Sequence, residues 1–281
     1  MTVLMEDLLM IEWKNLYRGI VMGISDLVPG VSGGTIAVLL GIYDRFIGGI
    51  NGIFSREWKR HVAFLLPLAI GMGFALFSFS RLMDWLLATY HRPTFYFFIG
   101  LIIGVLPFLL HTSRARTSFR WQHFGLLIVA AVAINLIPIT VSNSTLIVER
   151  SLFIYMLFFF SGMLASAAMV LPGISGSFVL LVIGMYHTII RALSNLEIFV
   201  IITVGIGIAS GMLLMSKLIH YFLQHYRTST FAVIIGLVCG SVFIIFRQAG
   251  WVQSVNELFI CIVTFLAGIC IAYLLGKVEY A

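Results

Sequence analysis

Residues 28–35, Val-Pro-Gly-Val-Ser-Gly-Gly-Thr, and residues 171–177, Leu-Pro-Gly-Ile-Ser-Gly-Ser, are two copies of one break in apolar sequence. Pro29 and Pro172 occupy the same place in the two copies. Proline removes a backbone donor and ends a helix, and glycine permits the turn that follows. Matching breaks in the two halves of an apolar chain are typical of the central binding site of a membrane transporter. We therefore expect these two segments to form the functional site.

The composition around the breaks is that of a polytopic all-α membrane protein. Of the 281 residues 61% are hydrophobic and only 10% are charged, and the mean hydropathy is +1.09. A water-soluble domain of this length does not have such values. Stretches close to the roughly 20 residues that cross the hydrocarbon core predict six spans. They cover residues of about 62–88, 93–111, 123–141, 198–223, 229–246 and 257–276.

The remaining composition points to no soluble partner and to no cofactor. The net charge is +6, but the basic residues cluster in short loops, so they indicate membrane orientation and not nucleic-acid binding. Cys239, Cys261 and Cys270 have no paired spacing, so we expect packing roles and neither disulfides nor a metal site. No nucleotide-binding loop is present. Because no small-residue cleavage site follows the first residues, we expect the mature chain to begin at or near Met1.

The breaks belong to a longer internal repeat, which divides the chain into residues 1–145 and 146–281 of one integral membrane domain. The offset between matching positions is constant around the breaks and becomes shorter further along the chain. Glycine, proline, serine and tyrosine positions all coincide, which chance similarity of apolar sequence does not explain. The matches include Gly19 with Gly162, Gly41-Ile42-Tyr43 with Gly184-Met185-Tyr186, Gly71-Met72-Gly73 with Gly205-Ile206-Gly207, Ser80-Arg81 with Ser216-Lys217, and Thr94 with Thr230.

Each half is predicted to hold a broken segment, at about 17–47 and 151–190, followed by three spans. If each broken segment returns to its side of entry, twelve of the 17 basic residues lie on the side of the amino terminus, whereas single crossings divide them almost equally. The first pattern indicates re-entrant hairpins, a cytoplasmic amino terminus and two inverted repeats. The first arm, residues 17–28, is only about 18 Å long, too short to span. The second arm is apolar from Ser151, so two full crossings remain open there.

The breaks have the chemistry of an anion site. Pro29-Gly30 and Pro172-Gly173 are expected to end the first arms, and Ser32 and Ser175 to cap the helices that follow. Helix amino termini carry partial positive charge and suit phosphate or carboxylate groups. The alternative is that small residues merely allow close helix packing. The amides expected to bind the anion are those of Gly33, Gly34, Thr35, Gly176 and Ser177.

Four charged residues complete the candidate site. Asp26 is an acidic residue within a predicted membrane segment, so it is a candidate for coupling transport to H⁺ or Na⁺. A structural role, in which Asp26 hydrogen-bonds the amino terminus of the next arm, fits equally well. Arg81 and Lys217 are repeat equivalents that could receive a charged head group, although ordinary snorkelling to the interface also explains them. Arg18 flanks the first hairpin and could attract an anion.

At these motifs the chain resembles the bacterial PopT-type polyprenyl-phosphate translocases, over nearly its whole length. The resemblance rests on residues 26–35, Asp-Leu-Val-Pro-Gly-Val-Ser-Gly-Gly-Thr, on the second break and on the two Gly-x-Tyr motifs. It implies a flippase of the bacterial cytoplasmic membrane that moves undecaprenyl phosphate, released outside by peptidoglycan and other cell-envelope synthesis, back for reuse. The lipid phosphate is then the substrate, and the membrane lipids surround its tail.

Two alternatives remain open, and the second belongs to another functional class. A secondary transporter of another small anion would use the same paired breaks. An intramembrane serine hydrolase would use Ser32 or Ser175 as a nucleophile, because both lie in a Gly-x-Ser-Gly pattern. Such a serine needs a base within hydrogen-bond reach, and all seven histidines lie in loops or near span ends. We therefore expect no enzymatic activity. The pattern leaves a homo-oligomer open.

Overall fold

The computed structural model describes residues 12–27, 31–113, 115–136, 151–195 and 197–280, and every regular element within these ranges is a helix. Long apolar runs produce the long helices, two of which continue through Pro67 and Pro107, whereas Pro and Gly separate the short helices. In chain order the helices are α1 Lys14–Asp26, α2 Gly33–Leu39, α3 Tyr43–Gly52, α4 Trp58–Thr89, α5 His91–Thr112, α6 Ala115–Ser118, α7 Trp121–Asn135, α8 Leu152–Val170, α9 Gly176–Ile183, α10 Tyr186–Ser194, α11 Ile198–His225, α12 Arg227–Ala249 and α13 Val255–Tyr280.

Six helices in the described part of the chain are long and apolar enough to cross a membrane: α4, α5, α8, α11, α12 and α13. Large apolar side chains on their outer faces are exposed, as at Phe77, which is 90% exposed, and Phe259, which is 69% exposed. Such exposure would be costly in water and is favourable in lipid. The all-helical architecture predicted from composition is therefore confirmed.

The six spans differ in one member from the six predicted. The predicted span 123–141 corresponds to α7, which has 15 residues up to Asn135, and residues 137–150 lie outside the described ranges. In its place α8, predicted as a hairpin arm, has 19 residues and is about 28 Å long. By contrast α1 has 13 residues and reaches only about 20 Å. Re-entry of the two broken segments stays a prediction.

The first helix of each half packs against the next long helix through glycine. A Cβ atom on Gly19 of α1 would meet the backbone carbonyl of Leu68 on α4. In the same way, a Cβ on Gly162 of α8 would meet the backbone of Val204 on α11. Absence of a side chain lets the two backbones approach closely, as is common between membrane helices. The contacts recur at equivalent places in the two halves.

The reciprocal contacts correct the predicted register of the repeat. Gly71 of α4 lies against the carbonyl of Leu16, and Gly207 of α11 lies against that of Phe159. Gly71 is thus equivalent to Gly207, and the predicted match with Gly205 was wrong by two positions. The apolar sequence alone could not resolve this, because glycines recur every second residue in both segments.

The last helix of each half packs against a helix of the other half. Gly100 of α5 lies against the backbone of Phe265 on α13, and Gly236 of α12 lies against that of Leu127 on α7. Each half therefore packs its middle helix on the final helix of the other half. Helices α5 and α12 also contact each other and hold the centre of the buried core together with α2 and α3.

The turn after each break is also repeated. Gly41 and Gly184 both adopt left-handed backbone, with φ of 64° and 80°. Their amides donate to the carbonyls of Val38 and Leu181 at 3.0 Å in both cases. These glycines close α2 and α9 with equivalent hydrogen bonds. That the two halves are inverted across the membrane stays a prediction.

Candidate functional site

Helix α2 begins where the sequence predicts. Ser32 has extended backbone, with φ −123° and ψ 133°, and its Oγ accepts a hydrogen bond from the amide of Gly34 at 3.1 Å. The predicted cap at Ser32 is confirmed. Pro29 and Gly30, predicted to belong to the site, lie outside the described residues.

The carboxyl group of Asp26 also binds the start of α2. Its Oδ1 accepts from the amide of Gly33 at 2.6 Å, while its Oδ2 is inaccessible and has no hydrogen-bond partner in the described part of the chain. Asp26 is the last residue of α1, where the helix dipole disfavours an anion, but the amino end of α2 favours it. The first amides of α2, predicted to bind an anion, are thus held by protein groups. This is the structural role that the sequence left open for Asp26.

The two breaks contact each other directly, although they belong to opposite halves of the chain. Ser32 Oγ lies 3.3 Å from the carbonyl oxygen of Met169 and 3.4 Å from that of Leu171. Thr35 Oγ1 accepts a hydrogen bond from the amide of Gly173 at 2.8 Å. Both hydroxyl-bearing residues are fully buried. Side chains of the first break therefore satisfy backbone groups of the second.

A third residue of this contact was missed by the sequence reasoning. The buried Tyr43 donates from its hydroxyl to the carbonyl of Val170 at 3.1 Å. Its only sequence signal is its place in the repeated Gly-x-Tyr motif, to which no role was given. We refer to the contacts of Ser32, Thr35 and Tyr43 with residues 169–173 as the central contact.

The backbone of the second break agrees with its Pro-Gly sequence. Helix α8 ends at Val170, two residues before the buried Pro172. Gly173 follows with φ of +89°, and a Cβ there would meet the carbonyl oxygen of Leu237 on α12 at 2.6 Å. Only glycine accepts both the left-handed backbone and this close approach.

Helix α9 starts differently from α2. Ser175 is at the capping position, but its hydroxyl bonds the hydroxyl of Ser177 at 2.8 Å and does not cap the helix, so the predicted cap was wrong. Within the described ranges, the amides of Gly176 and Ser177 have no hydrogen-bond acceptor. Both residues are half-buried. The second break therefore keeps open donors where the first has Asp26.

The three predicted cationic residues are not part of the central contact. Arg18 bonds Asn15 at 2.9 Å and precedes Asp26 by eight positions, about 12 Å along α1. Arg81 on α4 and Lys217 on α11 are exposed and form no ion pair with any described residue. The structure thus brings together the predicted serine, threonine, glycine and aspartate positions and leaves the cations apart.

Comparison with known proteins identifies the family of the chain. The profile of a family described as undecaprenyl phosphate translocase-like matches residues 22–258, which include both breaks. The chain belongs to this translocase-like family. A polyprenyl-phosphate transporter of Staphylococcus aureus (strain NCTC 8325 / PS 47) is 45% identical over 280 residues, covering 95% of this chain and 97% of the relative. No solved structure matches the chain.

A more distant relative gives the same result. A polyprenyl-phosphate transporter of Vibrio cholerae serotype O1 (strain ATCC 39315 / El Tor Inaba N16961) is 35% identical over 237 residues, covering 80% of this chain and 74% of the relative. The resemblance expected from the motifs is therefore confirmed. With its candidate spans, this member of the translocase-like family is a multi-pass membrane protein.

The site of this translocase-like protein adjoins an apolar cavity of about 360 Å³. Gly33 and Gly34 form part of its wall, and Phe46, Met169 and Met212 are among its other residues. Among the described residues no cluster of His, Cys, Asp and Glu could hold a metal ion. The polar chemistry of this region therefore comes from peptide groups, hydroxyls and the Asp26 carboxyl.

Proposed function

We propose that this protein is a non-enzymatic transporter that moves undecaprenyl phosphate across the bacterial cytoplasmic membrane. The phosphate head would pass the central contact, and the prenyl chain would stay in lipid beside the protein. The observation that carries the proposal is the direct contact between the two breaks, in which Thr35 binds the amide of Gly173. Family membership and the names of the relatives support the substrate class.

The head group needs hydrogen-bond donors at the centre of the membrane, where water is scarce. The amides of Gly176 and Ser177 supply open donors at the start of α9. On the other side, Ser32 and Gly34 would contribute once the central contact opens, and Gly33 would contribute once Asp26 releases its amide. In this structure the first amides of α2 are bonded to Asp26 and Ser32. A bound phosphate would replace these protein acceptors.

Asp26 provides a mechanism for coupling to H⁺. Its Oδ1 holds the Gly33 amide, and its Oδ2 is buried without a partner in the described chain. Protonation would weaken the carboxyl as an acceptor and release the start of α2 for phosphate. After deprotonation, the Asp26 carboxylate would again bind the Gly33 amide and displace the phosphate. Coupling to Na⁺ would use the same carboxylate as a ligand.

The orientation proposed for the chain follows from its charge distribution. With a cytoplasmic amino terminus, the connection between α4 and α5 lies outside and that between α11 and α12 lies inside. Recycling then means movement from the outer leaflet to the inner one. Inverted halves would present equivalent surfaces to the two leaflets.

The test is translocation in proteoliposomes with undecaprenyl phosphate as the probe. A membrane-impermeant phosphatase outside the vesicles reports how much of the lipid reaches the outer leaflet. We expect protein-dependent movement, and we expect the double variant Ser32→Ala/Ser175→Ala to abolish it. Absence of movement by folded protein, under imposed proton and sodium gradients, would refute the proposal.

Ser241→Ala is the matched control. Ser241 is a fully buried serine on α12 whose Oγ donates to the carbonyl of Val238 at 2.8 Å within its own helix. Its loss removes a buried hydroxyl without touching the central contact. We expect this variant to transport the lipid at the rate of the unsubstituted protein.

The two alternatives make different predictions. A transporter of another small anion would take up that anion and leave undecaprenyl phosphate in place. A hydrolase would require a base at Ser32 or Ser175, but in the described residues their hydroxyls bond backbone groups and Ser177. Transport of inorganic phosphate without lipid movement would favour the first alternative.

A further inference from the structure

Two clefts of similar size lie beside the central contact. The first, of about 580 Å³, is formed by α1, α2, α4, α5 and α13, and the second, of about 680 Å³, by α3, α7, α11, α12 and Leu171. Both volumes fall in the range of sites for organic ligands. The first cleft includes Leu86, Tyr90 and Phe97, and the second includes Phe222, Tyr226 and Val233.

The clefts are equivalent under the internal repeat. Every residue that α4, α5 and the turn between them contribute to the first cleft, apart from Leu101, has its repeat counterpart in the second. Even an internal hydrogen bond is repeated, since Thr94 donates to the carbonyl of Tyr90 at 2.8 Å and Thr230 to that of Tyr226 at 2.9 Å. Each half therefore carries one such cleft at the same place of the repeat.

The clefts fit a hydrocarbon chain. Their walls are almost entirely aliphatic and aromatic, and the hydroxyls of Thr94 and Thr230 are occupied by backbone carbonyls. A phosphate would find few partners there. A branched isoprenoid chain would bury apolar surface along the whole wall, which is the favourable term for such a ligand.

The second cleft reaches the central contact, and the first includes residues next to Asp26 and Thr35 in the chain. Ser25 and Ile36, which are close in sequence to Asp26 and Gly33, line the first cleft. Tyr43 and Leu171, which belong to the central contact, line the second. A chain lying in either cleft can therefore keep its phosphate end beside the same polar groups.

One helix of each cleft also carries an exposed cation. Arg81 precedes the cleft residue Met83 by two positions on α4, and Lys217 precedes Ile219 by two positions on α11. These cations are repeat equivalents and are unpaired among the described residues.

We propose that the two clefts are equivalent binding sites for the polyprenyl chain of the substrate, the first open to the outer leaflet and the second to the inner leaflet. The chain leaves one cleft and occupies the other while its phosphate passes the central contact between them. This inference rests on the proposed function. The proposed function alone leaves the polyprenyl chain of the substrate in the bilayer. The two clefts give this chain two defined binding sites on the protein.

The first experiment maps the sites without any substitution. Full-length protein in vesicles of phosphatidylglycerol and phosphatidylethanolamine is irradiated with a polyprenyl phosphate that carries a diazirine in its chain. We expect adducts in both clefts, on peptides that contain residues 83–98 and 219–234. Excess undecaprenyl phosphate should suppress both adducts. Adducts in one cleft only, in neither, or equally suppressed by added phosphatidylglycerol would overturn the proposal.

The second experiment blocks each cleft separately. Leu86→Trp in the first cleft and Val233→Trp in the second each occupy space that about two methylene groups of the chain would fill. Loss of their burial weakens binding of the chain about tenfold, and we expect translocation to slow by the same factor. Phe77→Trp on α4 and Phe243→Trp on α12 are controls, because these side chains are 90% and 63% exposed. Folding is checked by thermal unfolding in detergent.

The outcomes separate this inference from the proposed function. Normal lipid movement by the unsubstituted protein, with unchanged rates in both folded cleft variants, would refute the tail sites and leave the transporter intact. Absence of lipid movement by the unsubstituted protein would refute the proposed function, and the photochemical labelling would still decide whether the clefts bind the chain.

Discussion

The hydroxyl of Thr35 accepts a hydrogen bond from the amide of Gly173 at 2.8 Å, and this bond joins the two halves of the chain at their breaks. Both groups are buried, so water cannot replace either partner. Near it, Tyr43 and Ser32 bond carbonyls at the end of α8. Under the proposed function, the path for the phosphate head group opens at this point.

Thr35→Val should destabilise the protein because it leaves the buried Gly173 amide without an acceptor. The cost is about 1–3 kcal/mol for such a group. Thr35→Ser keeps the hydroxyl and is expected to stay close to the unsubstituted protein. Thermal unfolding in detergent measures both variants. Equal unfolding temperatures for the valine and serine variants would contradict the importance of this bond.

Gly173→Ala should be more harmful than a typical glycine substitution. The left-handed backbone costs an alanine about 1–2 kcal/mol, and its Cβ would also collide with the Leu237 carbonyl. Gly205→Ala is the control, because nothing lies within 4 Å of its Cβ position. We expect lower expression and lost transport for the first variant only. A fully active Gly173→Ala protein would show that the break can relax.

Asp26→Asn replaces the carboxylate with a neutral group of the same shape. The side-chain oxygen can still accept from Gly33, but it can no longer exchange a proton. Under proton coupling, we expect transport to lose its dependence on pH and on an imposed proton gradient. The measurement is the rate of undecaprenyl phosphate movement over a pH series. An unaltered rate and pH profile would exclude Asp26 as the coupling group.

The corrected repeat register predicts matched effects at Gly71 and Gly207. Alanine at either position places a Cβ against a backbone carbonyl of the neighbouring helix, and overpacking of this kind costs about 1–3 kcal/mol. Gly73→Ala meets open space and should not destabilise. The match first inferred from sequence paired Gly73 with Gly207, so it predicts equal losses of stability at these two positions. Unfolding temperatures therefore distinguish the two registers.

The orientation can be tested with single cysteines in a background without Cys239, Cys261 and Cys270. Cysteines at Ser55 and Ser118 should react with an impermeant maleimide only from the cytoplasmic side. A cysteine at the exposed Gln253, in the connection before α13, should react only from outside. Labelling of Ser55 from outside would reverse the proposed topology.

Much of this architecture follows from local sequence physics. Apolar runs mark the long helices, and proline and glycine mark the break at residues 171–173 and the turns at Gly41 and Gly184. Helix α8 was predicted as a hairpin arm because it leads into the break, and its length also allows a full crossing. Hydropathy measures length and composition, and it does not show whether a helix returns.

The site was predictable in its location but not in its hydrogen bonds. Repetition identified Ser32, Thr35 and Gly173, yet no periodicity shows that Thr35 would bond Gly173 across the molecule. The role of Asp26 depends on the direction in which α2 leaves the first break. Tyr43 was missed because its partner is a carbonyl, which has no sequence signature.

The crossed pairing of α5 with α13 and of α7 with α12 has a consequence for biosynthesis. When the ribosome has finished the first half, the face of α5 that meets Phe265 is still uncovered, and its partner α13 is synthesised only after α12. Neither half can therefore mature as an independent unit. Insertion must hold an incomplete bundle in the membrane until the final helix arrives, so a chain truncated before α13 should be removed by quality control.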